Sequence, residues 1–266
     1  MKKVVINPAY QHLRKYVESI PENFDSLGKL LEARRNVIRE DQVEGLTIVI
    51  KSFKRIYLTN RVRYSFFYPS KAQRAFDNAN LLVQNGFNTP APVAYIEDKP
   101  NGILKESFFV SEYIDLKPLE GIFRPFEKGV VVPVETTADL ILQLAHYTFN
   151  LHHKNIFHAD FTLGNILYKK TSDRYEFALV DNNRMKFGPV SYETGIRNLV
   201  RLLLPPAQLE EITKEYARLW NEDGAEAYER LLSFREKEAR KNIFKASLKK
   251  MAVTLKLKPA PKQQSH

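Results

Sequence analysis

The stretch HADFTLGNILY, residues 158–168, places Asp160 and Asn165 five positions apart ahead of a short apolar run. Further along, FALVDNNR ends an apolar run at Asp181, which puts a carboxylate at the end of a predicted strand. Mg²⁺ takes hard oxygen ligands and keeps its other positions for water and phosphate. Asn165 and Asp181 are therefore predicted to hold a nucleotide-bound Mg²⁺. Asp160 is left to accept a proton from an attacking hydroxyl.

Lys51 supplies the opposite charge from an earlier part of the chain. It follows the apolar run 48–50, and alternation along a strand would aim it at a cleft. An ammonium group there can bind the α and β phosphates of ATP. Such a lysine needs an acidic residue to hold it extended, and Asp77 on a predicted helix is the candidate. Aspartate is one methylene shorter than glutamate, so that helix would have to lie about 1.5 Å closer.

The first part of the chain, to about residue 110, is predicted to form strands and one helix. Two β-rich runs flank Gly45 in segment 29–54, which is typical of antiparallel strands. In segment 69–86, Ser70 and Gln73 make a capping box and Gly86 ends the helix. Further extended segments are predicted in NTPAPVAYIED and ILKESFFVSEYID.

Beyond Asp115 the pattern becomes helical. TTADLILQLAHYTFNLHHKN has apolar residues at a period near 3.6, which predicts a long helix with one buried face. Short strands at NILYK and YEFALVD and several helical segments follow. Residues 1–114 are predicted to form an N-lobe with the nucleotide-binding sheet and helix. Residues 115–257 are predicted to form a C-lobe with the catalytic loop, metal site and helices, and residues 258–266 a disordered tail. At the seam, the backbone of Glu112 to Ile114 should offer N–H and C=O groups to adenine.

Composition limits the function further. The chain has no cysteine, which excludes disulfides, thiolate catalysis and cysteine-bound metal. Its 41 Lys and Arg against 31 Asp and Glu give a net charge of +10, which favours anionic partners. The basic C-terminal segment is interpreted as a solvated helix with a loose tail, or as a contact with an anionic membrane surface. No motif supports nucleic acid binding. No signal peptide or apolar span is evident, so we expect a cytoplasmic protein.

Several of these segments resemble known motifs. IVIK resembles the strand lysine motif of protein kinases, HADFTLGN their catalytic loop and VDNN their metal-binding DFG, over residues of about 30 to 190. Within that superfamily the chain is similar to the bacterial lipopolysaccharide kinases of the Kdo and heptose kinase group. The stretches that carry this likeness are VIKSFK, SKAQRAFDNANLL, NGFNTPAPVAYIE, HADFTLGNILY and VDNNRMKFG.

The resemblance implies an α+β, protein kinase-like two-lobe fold, with a small antiparallel-sheet N-lobe carrying one helix and a mainly helical C-lobe. It implies a kinase that uses ATP and Mg²⁺ to phosphorylate a sugar hydroxyl of the lipopolysaccharide inner core. That acceptor would place the protein at the cytoplasmic side of the inner membrane. The residues concerned are Asp160 for catalysis, Lys51, Asp77, Glu112 and Ile114 for the nucleotide, and Asn165 and Asp181 for the metal.

The chain also departs from the protein kinase pattern. Ala159 stands where eukaryotic protein kinases have an arginine, so an activation-loop phosphate would find no partner there. Thr162 replaces the lysine beside the γ-phosphate, and Asn183 replaces the glycine of DFG. No APE-like segment precedes the helix that carries Arg197, and the turn RRNVIRED lacks a glycine-rich cradle. A non-protein acceptor is favoured. A protein kinase, a small-molecule phosphotransferase and a nucleotide-binding pseudokinase remain alternatives.

Other polar residues near these motifs receive structural interpretations. His158 is expected to brace the loop backbone by hydrogen bonds. His152 and His153 end the long helix, where imidazoles complement the helix macrodipole. Arg184 and Lys186 are interpreted either as contacts for anionic groups of the acceptor or as surface residues.

Overall fold

The computed structural model describes residues 2–33, 36–53, 58–172 and 174–254. Its strands are β1 (Lys2–Ile6), β2 (Lys29–Ala33), β3 (Val37–Val43), β4 (Leu46–Ser52), β5 (Pro92–Asp98), β6 (Glu106–Glu112), β7 (Lys117–Pro118), β8 (Ile156–His158), β9 (Ile166–Lys170), β10 (Tyr175–Leu179) and β11 (Met185–Phe187). Its helices are α1 (Arg14–Asn23), α2 (Leu58–Phe66), α3 (Lys71–Gln84), α4 (Glu120–Glu127), α5 (Ala138–His153), α6 (Tyr192–Leu199), α7 (Pro206–Leu219) and α8 (Gly224–Thr254). The tail at 258–266 and Arg34 and Arg35 of the glycine-free turn lie outside the described residues.

A six-stranded antiparallel sheet with the order β1-β5-β6-β4-β3-β2 forms the first half of the chain. β3 and β4 make the predicted hairpin, turned by Glu44 and Gly45 at φ angles of 48° and 82°. Two positive φ angles in succession match the twist of the paired strands, which is why a glycine is useful there. Along β4, Ile48 and Ile50 are fully buried on one face, so Lys51 lies on the other.

Helices cover both faces of this sheet. Val17 and Ile20 of α1 pack in one core with Ile48 and Ile50, while α3 packs on the opposite face against β5 and β6. α3 is the predicted helix: the Ser70 hydroxyl oxygen accepts from the Gln73 N–H at 3.1 Å. Neither α1 nor α2 was predicted from the sequence. α1 lacks a side-chain cap and contains a proline, so the usual helix signals are missing.

The second half is mainly helical. α5 is the predicted long helix, and the apolar face that it buries packs with α6, α7 and the start of α8 in the larger core. Two small antiparallel sheets, β10-β9-β7 and β11-β8, lie in the same region. They hold the two segments that carry the predicted site residues, because β8 leads into loop 159–165 and β10 leads into turn 180–184.

A buried hydrogen-bond network joins α5, α6 and α7 to the loop after β8. His152 Nδ1 lies 2.8 Å from the Tyr216 hydroxyl, and its Nε2 lies 3.2 Å from Asn198 Oδ1. Asn198 Nδ2 in turn donates to the His158 carbonyl at 3.2 Å. The three helices thereby fix the position at which this loop begins.

His152 is neutral in this network. Because the Asn198 amide donates to a carbonyl, its oxygen accepts from His152 Nε2–H, and His152 Nδ1 accepts from the Tyr216 hydroxyl. Burial lowers the pKa of His152 to about 4, and the hydrogen bond with Asn198 opposes this shift only in part. The prediction that His152 complements the helix macrodipole as a cation is therefore wrong. Its neighbour His153 is exposed.

We expect the free energy of unfolding to fall as the pH drops from about 6.5 to about 4. The pKa of a histidine is near 6.5 in the unfolded chain, whereas that of His152 in the folded protein is about 4. Between these pH values the unfolded chain binds a proton that the folded protein does not. The folded state therefore keeps its full stability above pH 6.5 and loses stability as the pH falls toward 4. The shift corresponds to about 3 kcal/mol. Urea denaturation at several pH values should show this fall in the wild type and a shallower one in His152→Gln.

His153→Gln is the matched control, since it removes an exposed imidazole from the same helix end. It should reproduce the wild-type pH dependence. If His152→Gln did so as well, another group would be responsible for the loss of stability in acid.

Candidate active site

A cavity of about 610 Å³ lies between the first sheet and the segments that precede β9 and follow β10. Val49, Lys51 and Phe53 line it from the sheet, and Asn165 and Asp181 line it from the second half of the chain. Its size falls within the range of about 300–1,000 Å³ that is usual for small-molecule sites. The alternation predicted for β4 therefore places Lys51 in a ligand-sized cleft.

Lys51 and Asp181 meet across this cleft. Lys51 Nζ lies 2.5 Å from Asp181 Oδ1, and the two side chains are only 17% and 24% exposed. Asn183 Nδ2 donates to the same oxygen at 2.7 Å. Among the residues that the structure describes, Asp181 Oδ2 has no hydrogen-bond partner, so this oxygen is available to a ligand.

The backbone and the charge of Asp181 are both set by its surroundings. Asp181 has a left-handed backbone, with φ 61° and ψ 40°, a conformation that aspartate tolerates better than most residues. Burial acts to raise the pKa of Asp181, but the ammonium of Lys51 and a smaller contribution from Arg184 outweigh it and lower the pKa. The carboxylate is therefore ionised in the cleft.

Asn165 supplies a second oxygen on the same wall. Its Nδ2 donates to the Asp160 carbonyl at 2.8 Å, which leaves the amide oxygen for a ligand. Its own carbonyl accepts from the Val180 N–H at 3.0 Å, so the two segments are joined here. One amide oxygen and one carboxylate oxygen fit Mg²⁺, which commonly takes few protein ligands and completes its shell with phosphate and water. Within the described ranges no group of three or more His, Asp or Glu side chains is placed to hold a metal ion.

His158 braces both segments, as predicted. The Asp160 N–H donates to His158 Nδ1 at 3.1 Å, so the ring proton is on Nε2, which donates to the Val180 carbonyl at 3.1 Å. Burial lowers the pKa of His158, against the effects of the Val180 hydrogen bond and of the carboxylates of Asp181 and Asp160. A neutral imidazole therefore positions the backbone on each side of the cleft.

The Asp160 carboxylate lies between two arginines. Arg184 Nη1 lies 3.0 Å from Asp160 Oδ2, and Arg201 Nη2 lies 2.8 Å from Asp160 Oδ1. Arg184 comes from the turn that follows Asp181, and Arg201 comes from the turn that follows α6. Sequence reasoning missed Arg201, because it is 41 residues from Asp160 and its segment carries no motif.

Asp77 does not hold Lys51, which corrects the sequence interpretation. In the described part of the chain the ion-pair partner of Lys51 is Asp181. Burial raises the pKa of Asp77, and its polar neighbours are Gln73, Lys3 and Glu97, on the side of β1 and β5. The physical reason is helix phase: at about 100° per residue, Asp77 is turned some 200° from Ala75, which lines the cavity.

Asn78 occupies the helix position that faces the second half of the chain. Its Nδ2 donates to the Asn182 carbonyl at 2.7 Å. Asn182 Nδ2 in turn donates to the Thr89 hydroxyl oxygen at 2.8 Å, and that hydroxyl donates to the Leu179 carbonyl at 2.8 Å. α3 is thus tied to the turn after β10 by neutral hydrogen bonds rather than by an ion pair.

The seam segment lines the cavity, but much of its backbone is already engaged. Glu112 and Ile114 both contribute to the lining. The Glu112 N–H donates to the Ala91 carbonyl at 2.9 Å, and the Ile114 carbonyl accepts from the Leu116 N–H at 2.9 Å. The Ile114 N–H has no partner among the residues described here, so it is the group on which a bound ring could form a hydrogen bond.

The connection between the turn that carries Arg184 and the helices that follow it is short. β11 ends at Phe187 and α6 begins at Tyr192, so four residues connect them. A folded peptide-binding platform has no room in this connection.

Comparisons with known proteins bear on the family and the fold of the chain. A family model described as "Lipopolysaccharide kinase (Kdo/WaaP) family" matches residues 31–216. A solved structure of WaaP in complex with acyl carrier protein is similar at a TM-score of 0.62 and 17% identity, covering 90% of this chain and 98% of that chain. No curated protein matches the chain in sequence. The structural likeness confirms the predicted α+β protein kinase-like fold. Since the family match covers well over half of the chain, the protein belongs to the lipopolysaccharide kinase (Kdo/WaaP) family and is a kinase.

Proposed function

We propose that the protein transfers the γ-phosphoryl group of ATP to a hydroxyl of Kdo or heptose in the lipopolysaccharide inner core. The observation that carries this proposal is the Lys51–Asp181 pair at 2.5 Å in a ligand-sized cleft, with Asn165 on the same wall and Asp160 beside it. In this proposal residues 1–114 form the N-lobe and residues 115–257 the C-lobe.

ATP would occupy the cleft as a substrate. The sheet residues offer an apolar wall for the base, and the Ile114 N–H offers it a hydrogen bond. Lys51 would exchange its partner Asp181 for phosphate oxygens, because a triphosphate carries more negative charge than one carboxylate. Mg²⁺, held by Asn165 and Asp181, would neutralise phosphate charge when bound.

Asp160 would orient the acceptor hydroxyl and take its proton. As the acceptor oxygen bonds to the γ-phosphorus, the bond from that phosphorus to the β–γ bridging oxygen breaks and ADP leaves with the electron pair. The backbone of Asp160 is held by His158 and Asn165, so the carboxylate is positioned before the substrates arrive. Positioning and charge neutralisation would supply most of the rate.

Asp160→Asn should lower kcat by roughly 10²–10⁴-fold with little change in ATP affinity, because an amide cannot take the hydroxyl proton. The assay follows ADP release with Mg-ATP and Kdo-lipid A, and mass spectrometry identifies the phosphorylated sugar. An equal fall in kcat and in ATP affinity would contradict the role of Asp160 as base. Wild-type protein that labelled a generic protein, or that released no ADP with any acceptor, would favour a protein kinase or a pseudokinase instead.

Lys51→Met should lower kcat/KM for ATP far more than Asp77→Asn does. Loss of the Lys51 charge should lower kcat/KM for ATP by roughly 10²-fold or more. Asp77→Asn should change it less than about twofold, because Asp77 lies near Lys3 and Glu97 rather than near Lys51. Steady-state kinetics at saturating acceptor measure both. A loss in Asp77→Asn as large as that in Lys51→Met would mean that Asp77 reaches Lys51 when nucleotide is bound.

The C-terminal half of α8 supports contact with an anionic membrane surface. Phe244, Leu248 and Met251 are exposed by 65%, 49% and 59%, and their i, i+4, i+7 spacing places them on one side of the helix. Lys241 and Lys245 lie next to this apolar side and are exposed. An apolar helix face bordered by lysines suits the boundary of an anionic bilayer. No helix in the described residues is long and apolar enough to cross a membrane.

Sedimentation with vesicles should therefore show binding that requires anionic lipid and weakens in high salt. Phe244→Ser with Leu248→Ser should reduce the bound fraction roughly tenfold, since two apolar side chains no longer enter the interface. Val131→Ser, which changes an 82% exposed apolar residue far along the chain from α8, is the control and should bind like the wild type. Equal binding of all three proteins would contradict a role for α8.

A further inference from the structure

We propose that Arg184 and Arg201 form an anion subsite for an acidic group of the acceptor, next to the hydroxyl that Asp160 orients. The inference rests on the proposed function and adds a substrate class to it. The acceptor sugar carries a carboxylate or a phosphate near its reacting hydroxyl.

Each arginine uses only part of its hydrogen-bonding capacity on Asp160. Arg184 and Arg201 each bond one carboxylate oxygen, at 3.0 Å and 2.8 Å, whereas a guanidinium carries five N–H groups. Their side chains are 44% and 36% exposed, while that of Asp160 is 21% exposed. N–H groups that reach solvent beside a catalytic carboxylate are available to a second anion.

The position of the arginines assigns them to the acceptor rather than to the nucleotide. Lys51, Asn165 and Asp181 line the 610 Å³ cavity, but in the described chain Asp160, Arg184 and Arg201 are not among its lining residues. Asp160 and the two guanidinium groups therefore lie together outside the lining of the nucleotide cleft. A molecule that presents a hydroxyl to the Asp160 carboxylate comes close to both arginines, because one arginine bonds each carboxylate oxygen.

The charge balance at the site also calls for an anion. Next to the nucleotide, Lys51 and Asp181 already balance each other, whereas beside the acceptor Arg184 and Arg201 carry two positive charges against the single negative charge of Asp160. The excess is one positive charge before any substrate binds. An acidic acceptor neutralises it, and a neutral sugar does not.

The chemistry of the bound group follows from the donors. Guanidinium groups bind carboxylate and phosphate oxygens through paired N–H donors, and such charge-assisted bonds are among the strongest in proteins. An acceptor anion that draws either arginine away also frees a lone pair of Asp160 for the hydroxyl proton. The subsite therefore couples recognition of an acidic sugar to readiness of the base.

Kinetics with matched acceptors test the subsite. The acceptors are Kdo-lipid A, the same molecule with its Kdo carboxylates converted to methyl esters, and a core acceptor whose acid is a heptose phosphate. In Arg184→Gln and Arg201→Gln, KM for the acidic acceptor should rise about 10- to 100-fold, as expected for a lost charge-assisted bond. KM for the ester should be high in the wild type and unchanged in the variants, and KM for ATP should stay within about twofold.

Arg218→Gln is the matched control, because Arg218 also bonds a carboxylate, that of Glu215, at 2.7 Å and is 65% exposed. It should keep wild-type kinetics. Arg184→Lys, which preserves the charge without the paired donors, should fall between Arg184→Gln and the wild type. Preference for the carboxylate or for the heptose phosphate identifies the source of the anion, and either supports the subsite.

An equal fall in kcat with acidic and esterified acceptors, at unchanged KM, would overturn the inference and assign the arginines to the transferred phosphoryl group. Calorimetry with free Kdo and with its methyl ester separates this question from catalysis. Equal binding of the two to the wild-type protein, together with no binding of a heptose phosphate, would overturn the subsite even if turnover were normal. Selective binding of the acid that is lost in Arg201→Gln would support it even if no acceptor were phosphorylated, in which case only the proposed function would fall.

Discussion

The ion pair between Lys51 and Asp181 joins positions 130 residues apart and sets the geometry of the cleft. Removing two charges from water is costly, and a partly buried pair recovers that cost only when its geometry is good. Here β4 aims the lysine, and a left-handed backbone turns the aspartate toward it. The pair thus holds two opposite charges at the position where a metal–triphosphate complex would need both, and such a ligand could satisfy each partner separately.

Neutral hydrogen bonds do the rest of the positioning. His158 links the backbone of Asp160 to that of Val180, and Asn165 links the same two segments a second time. Behind them, His152 and Asn198 anchor the loop to the helical core. Because these groups carry no charge, they fix the loop and would not attract an anionic or cationic ligand away from the charged residues of the site. Burial favours this choice, since it penalises charged imidazoles.

The position of a side chain could be predicted from the sequence only where the residues next to it determine the direction in which it points. Lys51 and Asp181 could be predicted because strand alternation and a strand end each aim one side chain at one edge. The contacts of Asp77 could not be predicted in this way, since the periodicity of α3 shows that one face of the helix is buried but not which element packs against each face. Arg201 and Tyr216 were missed for a related reason: each acts through a partner more than 40 residues away, across packed helices. α1 was missed because its helix signals are weak.

The positive charge of the chain, +10 overall, is distributed in a way that gives its parts different physical roles. Lys241 and Lys245 of α8 are exposed, so their attraction to an anionic surface is screened within a Debye length of about 8 Å at physiological salt. The guanidinium groups beside Asp160 are partly shielded from solvent and held by a carboxylate, so their attraction is shorter in range but less sensitive to salt. The first set can concentrate the protein at a membrane without selecting a sugar. The second set can select an acidic acceptor without contributing to the attraction of the protein to a membrane. The proposed acceptor is a lipid-linked acidic sugar, so a kinase that acts on it would need both functions, and separating them in the structure would allow each to be strong without weakening the other.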